Sequence, residues 1–366
     1  MMNIKVQPGI MDIAPYVGGE SDIDGVKEII KLSSNEGALG PSPEASATYV
    51  ALQRELHRYP DGDCKALRHA IGQVHGVDPA GVVCGSGSDE LISLLCQAYV
   101  GPGDEVVYSQ HGFLMYPIST RAAGATPVTA PETDLTANVD ALLAAVTAKT
   151  RILFLANPNN PTGTYLPADE VARLRDGLRD DVLLVIDAAY AEYVERADYT
   201  SGAELVETYE NVVMTRTFSK IYGLGSIRLG WAYCPEPVVG VLHRIRSPFN
   251  VNSAAQAAGT AAVRDAAFTD KVRAHNAEWL PWTRDRLMDM GLFTTDSVGN
   301  FVLVCFHGVA NKDAEDADAF LKQNGIIVRH MAGYSLPECL RITIGSEREM
   351  MAVVDTLARF LGRNIT

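Results

Sequence analysis

The chain has 366 residues, of which 47% are hydrophobic and 21% charged, so it is long enough for about two domains with a sizeable core. Its formal net charge of -14 disfavours binding to nucleic acid or to an anionic membrane surface. The N-terminus lacks a basic-then-apolar signal pattern, and no apolar run approaches the ~20 residues that span a bilayer. We therefore expect a cytoplasmic protein.

The six cysteines are scattered along the chain without a C-x-x-C pair, and several lie in apolar runs. This pattern predicts buried free thiols in a reducing compartment rather than disulfides or a zinc site. The eight histidines show no ligand spacing such as H-E-x-x-H. We therefore expect no metal site.

The first forty residues are rich in proline and glycine and show no clear periodicity. We interpret residues 1–40 as an N-terminal arm that packs on a small domain or on a partner subunit. Gly40-Pro41-Ser42-Pro43 then marks a turn into a helix, expected over residues 43–55.

Residues 41–247 alternate between helices and short apolar strands, which predicts a large domain with a mostly parallel sheet covered on both faces. The predicted strands are 82–84, 105–108, 126–129, 151–156, 182–187 and 211–217. The predicted helices after residue 65 include one ending at Val100 and others near 112–123, 138–147 and 167–177.

The pattern changes after about residue 247, which predicts a smaller α+β domain over residues 248–366. An Ala-rich helix is expected over 252–265, followed by one long helix over 266–291 with a bend near Pro281. The remaining elements are strands at 301–306, 326–329 and 340–344 and helices at 314–324 and 347–362. Ser346 and Glu349 fit a capping box for the last helix.

Polar residues follow several predicted strands, at the sheet edge where open α/β folds bind ligands. Gly85-Ser86-Gly87-Ser88-Asp89 joins a strand to a helix and can bind phosphate through backbone N–H groups, although a plain turn has the same composition. Asn157 to Gly163 contains two prolines and three asparagines, which fits either a loop that presents amides or an ordinary loop.

Two charged residues lie within or at the end of strands that are otherwise apolar. Asp187 ends an apolar strand, where a buried carboxylate needs a cation, or else caps the following helix. Arg341 lies within Leu340–Ile344 and needs an anion, which could be a bound ligand or a structural salt-bridge partner.

Lys220 follows the strand that ends at Thr217 and lies among hydroxyls and glycines, with Arg228 eight residues further on. An amine beside a phosphate site can form a Schiff base with the aldehyde of a cofactor. A solvated lysine in a loop is the alternative.

Together these residues resemble the fold-type I, pyridoxal-phosphate-dependent aminotransferases of classes I and II, and most closely the histidinol-phosphate aminotransferase family. The motifs occur in the family's order between residues 31 and 345. They are Lys31–Glu36, Arg58-Tyr59-Pro60, Gly85–Glu90, Asn157–Gly163, Asp187-x-x-Tyr190, Thr217–Lys220 with Arg228, and Cys339–Gly345. The resemblance implies an α/β/α sandwich around a seven-stranded sheet, with the C-terminal part and the arm forming the smaller domain.

The resemblance also implies roles for individual residues. Lys220 would bind the aldehyde and shuttle a proton, Asp187 would face the pyridine nitrogen, and Tyr190 would hydrogen-bond the 3′ oxygen; these three are the expected catalytic residues. The other expected cofactor-binding residues are Gly87, Ser88, Asp89, Phe113, Asn157, Thr217, Ser219, Arg228 and, from the neighbouring subunit of a homodimer, Tyr59. The expected substrate-binding residues are Arg341, Arg329, Tyr16, Asn157 and Asn35.

The expected activity is transfer of an amino group between histidinol phosphate and 2-oxoglutarate in histidine biosynthesis. Aromatic amino acids such as phenylalanine and tyrosine are the alternative donors. A decarboxylase or β-lyase on the same fold, or a non-catalytic binding module, are the alternatives from other classes.

Overall fold

The computed structural model describes residues 4–26, 28–309 and 312–363. A sheet of seven strands forms its centre, in the order β1-β7-β6-β5-β4-β2-β3, with β7 antiparallel to its two neighbours and the other strands parallel. The strands are β1 (Val82–Gly85), β2 (Glu105–Ser109), β3 (Thr126–Ala130), β4 (Thr150–Ala156), β5 (Leu183–Asp187), β6 (Val212–Thr217) and β7 (Gly230–Tyr233). The predicted fold class is confirmed.

Twelve α-helices lie within the described residues. They are α1 (Pro43–Ala51), α2 (Lys65–His75), α3 (Ser88–Tyr99), α4 (Met115–Ala122), α5 (Val139–Ala145), α6 (Ala168–Gly177), α7 (Ala203–Thr208), α8 (Glu236–Ile245), α9 (Ser253–Arg264), α10 (Ala266–Asp289), α11 (Ala314–Gln323) and α12 (Glu347–Leu361). None of these described helices combines the length and hydrophobicity needed to cross a membrane.

Both faces of the large sheet are buried, which explains the continuous apolar strands. On β4, Leu153 and Leu155 pack into a core covered by α2, α5, α6 and α9, whereas Ile152 and Phe154 pack on the opposite face under α3, α4 and α8. Successive side chains of a strand point to opposite faces, so a strand buried on both sides is mostly apolar. Its polar residues lie mainly in the C-terminal part, as at Asp187 of β5 and at Thr215, Arg216 and Thr217 of β6.

A second, antiparallel sheet has the order β8-β9-β11-β10, formed by β8 (Phe293–Thr294), β9 (Phe301–Cys305), β10 (Arg329–His330) and β11 (Cys339–Thr343). Met350, Val353 and Leu357 of α12 pack into its core, and the capping box of Ser346 and Glu349 is present. The segment Ile30–Lys31 pairs in parallel with Ile326–Ile327, so the N-terminal arm joins this smaller unit.

One pair of cysteines contradicts the prediction of free thiols. Cys305 and Cys339 lie opposite each other on β9 and β11, with Cα atoms 4.0 Å apart, and form a disulfide. The antiparallel register brings together residues separated by 34 positions, which the spacing of cysteines in the sequence does not reveal. The other four, Cys64, Cys84, Cys96 and Cys234, are buried free thiols.

Candidate active site

The carboxyl ends of the parallel strands open into a cavity of about 280 Å³ that also reaches the second sheet and the arm. Parallel strands end at one edge of a sheet, so residues far apart in sequence meet there. The predicted site residues that line this cavity are Tyr16, Asn35, Ser88, Asp89, Phe113, Asp187, Tyr190, Thr217, Ser219, Lys220, Arg228, Arg329 and Arg341. The cavity therefore brings most of the predicted constellation together.

Lys220 follows β6 and projects its amine into the cavity, where Nζ donates to the carbonyl oxygen of Ser34 at 3.1 Å. Burial and, to a smaller extent, the nearby guanidinium of Arg341 lower the pKa of Lys220 from 10.5 to about 8. Desolvation disfavours the charged form of an amine. An appreciable fraction of this amine is therefore neutral, and hence nucleophilic, near neutral pH.

Asp187 ends β5 at the floor of the cavity, with both carboxylate oxygens bonded to hydroxyls. The Tyr116 hydroxyl donates to Oδ2 at 2.8 Å, and the Thr215 hydroxyl donates to Oδ1 at 3.1 Å. Burial raises the pKa of Asp187 to about 6, while these two hydrogen bonds oppose the rise. Asp187 is thus largely ionised at neutral pH and can hold a positive charge in the cavity.

The sequence reasoning missed both hydroxyl donors to Asp187. Thr215 lies directly opposite Asp187 in the pairing of β5 with β6. It could have been found by counting back two residues along β6 from Thr217, because alternate residues share one face of a strand. Tyr116 lies three residues after Phe113 at the start of α4, so the helical spacing was its only signal.

The loop between β1 and α3 forms a cradle beside Arg228. Gly87 has φ +85°, and a Cβ placed on it would lie 2.6 Å from Nη2 of Arg228, so only glycine fits here. Arg228 Nη2 donates to Oδ2 of Asp89 at 2.9 Å, and its Nη1 lies 3.5 Å from the Ser219 hydroxyl. Backbone N–H groups at the start of α3, a hydroxyl and a guanidinium converge here, a donor set that suits a phosphate group.

Tyr190 is buried at the cavity wall, and its hydroxyl oxygen accepts a hydrogen bond from Nδ2 of Asn35 at 2.8 Å. The side-chain oxygen Oδ1 of Asn35 in turn accepts a hydrogen bond from the Thr343 hydroxyl at 3.3 Å. Because the Asn35 amide already occupies one lone pair of the Tyr190 oxygen, the hydroxyl hydrogen is free to point into the cavity. Asn35 lines the cavity, but its side-chain amide is already hydrogen-bonded to Tyr190 and Thr343.

Asn157 does not reach the cavity, which corrects the prediction that it binds cofactor and substrate. Its Nδ2 donates to the Leu166 carbonyl at 3.1 Å, and its Oδ1 accepts from the Leu166 N–H at 2.8 Å. Asn157 is fully buried and holds the loop closed. Asn160, three residues later, lines the cavity instead and accepts a hydrogen bond from Nη1 of Arg341.

Arg341 is a buried cation that no carboxylate in the described part of the chain pairs with. Its Nη2 donates to the Ser33 carbonyl at 2.8 Å, Nη1 donates to Asn160, and Nε has no partner. Burial lowers the pKa of Arg341. A buried guanidinium bonded only to neutral oxygens has unused capacity for an anion. The structural salt bridge considered as its alternative is therefore absent from the described residues.

Arg329 and Tyr16 lie at the mouth of the same cavity. Arg329 Nη2 donates to the carbonyl of Val17 at 2.7 Å, which ties the arm to β10. Tyr334, which was not predicted, also lines the cavity, and burial raises its pKa to about 12. Arg329 adds a cation, and the two tyrosines add hydroxyl groups, to the end of the cavity that contains Arg341.

Residues 33–37, which we term the crossing segment, run between the two sheets. Carbonyl oxygens of this segment accept hydrogen bonds from Lys220 and Arg341, and Asn300 Nδ2 donates to the carbonyls of Asn35 and Glu36, each at 3.2 Å. A Cβ on Gly37 would lie 2.9 Å from the Lys220 carbonyl. The crossing segment therefore positions Lys220 and Arg341.

Tyr59 lies outside the cavity of its own chain. Its side chain is 82% exposed and stacks on Phe249, with ring centroids 4.8 Å apart. The role expected for it at a neighbouring subunit's cofactor stays a prediction. The described residues contain no group of three or more His, Cys, Asp or Glu side chains placed to hold a metal ion.

The model of the family "Aminotransferase class I and II" matches residues 27–357. The histidinol-phosphate aminotransferase of Paramagnetospirillum magneticum is 64% identical over 97% of this chain and 98% of its own length. That of Rhodospirillum rubrum is 60% identical over 97% of this chain and 96% of its own length. A solved structure of histidinol-phosphate aminotransferase from Sinorhizobium meliloti in complex with pyridoxal-5′-phosphate superposes with a TM-score of 0.84 at 28% identity, over 92% of each chain. The chain belongs to the class I and II aminotransferase family, and the resemblance to histidinol-phosphate aminotransferases is confirmed.

Proposed function

We propose that the chain is a pyridoxal-phosphate-dependent aminotransferase that interconverts imidazole-acetol phosphate plus glutamate with histidinol phosphate plus 2-oxoglutarate. One observation carries the substrate side of this proposal. The buried guanidinium of Arg341 lacks a carboxylate partner among the described residues and shares a cavity with Lys220 and Asp187. An amine, an acid and an anion receptor in one cavity fit transamination of an anionic substrate.

The donor set of the cavity fits pyridoxal phosphate from end to end. Ser88, Ser219 and Arg228 would hold its phosphate, and Asp187 would face its ring nitrogen. Tyr190 would donate to its 3′ oxygen, and Phe113 would cover the ring face. When bound, the cofactor supplies a cationic ring that accepts the electron pair released at the substrate Cα.

Each side chain then has a defined task. Asp187, largely ionised at neutral pH, would keep a proton on the ring nitrogen, because an opposite charge stabilises the protonated form. The Lys220 amine would accept the proton that leaves the substrate Cα and return it at the C4′ carbon of the cofactor. Its depressed pKa of about 8 suits this role, since it can both accept and return a proton near neutral pH.

The substrate end uses two guanidinium groups and a tyrosine hydroxyl for both substrates. Arg341, Arg329 and Tyr16 would bind the phosphate-bearing group of histidinol phosphate, and the same groups would bind the carboxylates of glutamate and 2-oxoglutarate. Asn160 replaces Asn157 in this proposal because it contacts Arg341 and lines the cavity. A carboxylate held by Arg341 favours chemistry that retains the carboxylate, which argues against a decarboxylase.

The substrate assignment is tested by steady-state kinetics with 2-oxoglutarate as acceptor. We expect kcat/KM for histidinol phosphate to exceed that for phenylalanine. A larger value for phenylalanine would reassign the enzyme to aromatic amino acids. Release of carbon dioxide or pyruvate without amino transfer would point to a decarboxylase or β-lyase instead.

We further propose that the protein is a cytoplasmic homodimer. Each subunit would consist of the arm (1–40), the large domain (41–247) and the small domain (248–366). The exposed side chains of Tyr49, Val50, Leu56, Tyr59 and Phe249 support an interface near α1. In a shared site, Tyr59 of one subunit would serve Lys220 of the other.

Subunit complementation tests this arrangement. Chains carrying Lys220→Ala and chains carrying Tyr59→Ala are unfolded, mixed and refolded together. Random pairing makes half of the dimers mixed, and each mixed dimer contains one site with both native residues, so we expect about a quarter of all sites to recover. Mixed protein no more active than the average of its two parents would exclude the shared site.

A further inference from the structure

A buried tyrosine outside the cavity contacts the acid that faces the cofactor. Tyr116 is completely buried at the start of α4, does not line the cavity, and donates from its hydroxyl to Oδ2 of Asp187 at 2.8 Å. It can therefore influence a ligand only indirectly, through the hydrogen bond to Asp187 or through Phe113, which lines the cavity and packs on its ring.

Three aromatic rings fix the position of this hydroxyl. The Tyr116 ring lies parallel to Phe154, with centroids 4.5 Å apart and an interplanar angle of 2°. Phe113 and Tyr108 pack on it at angles of 90° and 66°, with centroids 5.8 and 6.0 Å away. Because this packing leaves the ring no alternative position, the hydroxyl stays aimed at Asp187.

We propose that Tyr116 is a positioning residue that holds the Asp187 carboxylate ionised and aimed at the ring nitrogen of pyridoxal phosphate. This inference rests on the cofactor assignment made above. It adds a residue to the site that neither the motifs nor the cavity lining identifies.

The chemistry of the donor explains why a tyrosine suits this place. Burial and the neighbouring Asp187 hold the pKa of Tyr116 well above its usual range, so the hydroxyl stays protonated and can only donate to the carboxylate. A cationic partner would also favour the carboxylate but would cancel its charge. Hydroxyls from Tyr116 and Thr215 stabilise the anion and leave its full charge for the ring nitrogen.

The other charged groups near Asp187 do not replace this hydrogen bond. Asp89 raises the pKa of Asp187 and Lys220 lowers it, but their effects rank below those of burial and of the two hydroxyls. Without the Tyr116 hydroxyl, Oδ2 would lose its donor in a buried site. The carboxyl group would then be easier to protonate, and the Thr215 hydroxyl would be the hydroxyl donor left to orient it.

The test compares two ligands on the cofactor-free enzyme. One is pyridoxal phosphate, and the other is its deaza analogue, in which a C–H group replaces the ring nitrogen. For Tyr116→Phe we expect the Kd of pyridoxal phosphate to rise about tenfold, and the Kd of the analogue to change less than about twofold. Tyr108→Phe is the matched control, because Tyr108 packs in the same aromatic cluster; it should alter neither Kd.

A second measurement separates positioning from packing. In the Asp187→Asn background, adding Tyr116→Phe should no longer weaken pyridoxal phosphate, because the acid through which Tyr116 acts is gone. Melting curves of each apoenzyme establish that it is folded. Should Tyr116→Phe not fold, the ¹⁵N chemical shift of the ring nitrogen is compared between Thr215→Val and wild-type enzyme. In Thr215→Val the Tyr116 hydroxyl is the remaining donor to Asp187, and we expect it to keep that nitrogen protonated.

The outcomes are distinct. Equal weakening of both ligands by Tyr116→Phe, or an unchanged Kd for both, would overturn the proposed role of Tyr116 while leaving the cofactor assignment intact. A ring nitrogen that loses its proton in Thr215→Val, where Tyr116 is the remaining hydroxyl donor, would also count against it. A wild-type apoenzyme that does not bind pyridoxal phosphate would overturn the cofactor assignment itself.

Discussion

The amine of Lys220 should react as a neutral nucleophile at a pH where an ordinary lysine does not. With a pKa of about 8 in place of 10.5, the neutral fraction at pH 7 is about one tenth rather than about one part in three thousand. The difference is roughly 300-fold, since each pKa unit contributes a factor of ten. Burial provides the larger part of this shift and the Arg341 guanidinium the next part.

Trace acetylation of the cofactor-free enzyme with isotopically labelled acetic anhydride measures this directly. The labelling rate of the Lys220 peptide, quantified by mass spectrometry against an unstructured lysine peptide, should rise tenfold per pH unit and level off near pH 8. The plateau position depends on the pKa and not on how accessible the amine is. The Arg341→Gln variant should level off at a higher pH, because it removes a neighbouring positive charge.

Two results would refute this reasoning. A labelling rate that keeps rising beyond pH 10 would mean that the amine is solvated rather than buried. An Arg341→Gln plateau unchanged from that of the wild type would mean that the two cations do not interact across the cavity.

Three substitutions test the remaining assignments. Asn157→Ala should lower the free energy of unfolding by about 2–4 kcal/mol, because it leaves the buried N–H and carbonyl of Leu166 unpaired, and a denaturant titration would measure this. Asn160→Ala should instead raise the KM for histidinol phosphate about tenfold with little effect on the free energy of unfolding. A raised KM in Asn157→Ala and a loss of stability in Asn160→Ala would return Asn157 to the site. Arg341→Gln should reduce kcat/KM about a hundredfold for both histidinol phosphate and 2-oxoglutarate, and a loss confined to one of them would contradict a shared anion receptor.

The sequence predicted the large sheet well because its strands are buried on both faces. Such strands are runs of Val, Ile and Leu that end abruptly in polar residues, as at Asp187, so both the strand and the site residue are visible. The seventh strand, β7, has the sequence Gly-Trp-Ala-Tyr, which begins with glycine and lacks β-branched residues. It was not identified because propensity carries little signal in four residues.

The site residues that were missed depend on three-dimensional arrangement. Asn157 and Asn160 lie in one loop, and composition does not show which of the two side chains faces the cavity. Tyr116 was not distinguishable from a core aromatic, because its role depends on α4 placing its hydroxyl beside the end of β5. The disulfide depends likewise on the register of β9 with β11.

The crossing segment also makes the site depend on both ends of the chain. The residues joined by the Lys220–Ser34 hydrogen bond are 186 positions apart, and those joined by the Arg341–Ser33 bond are 308 apart. Contacts of such sequence separation form late, because the entropy of closing the intervening chain must be overcome first. During synthesis, a ribosome-bound chain that does not yet include residue 341 would already contain Lys220 and Asp187, which are expected to face the cofactor. It would lack Arg341, the buried cation proposed to bind the substrate. Substrate recognition would thus be the last property of the enzyme to mature.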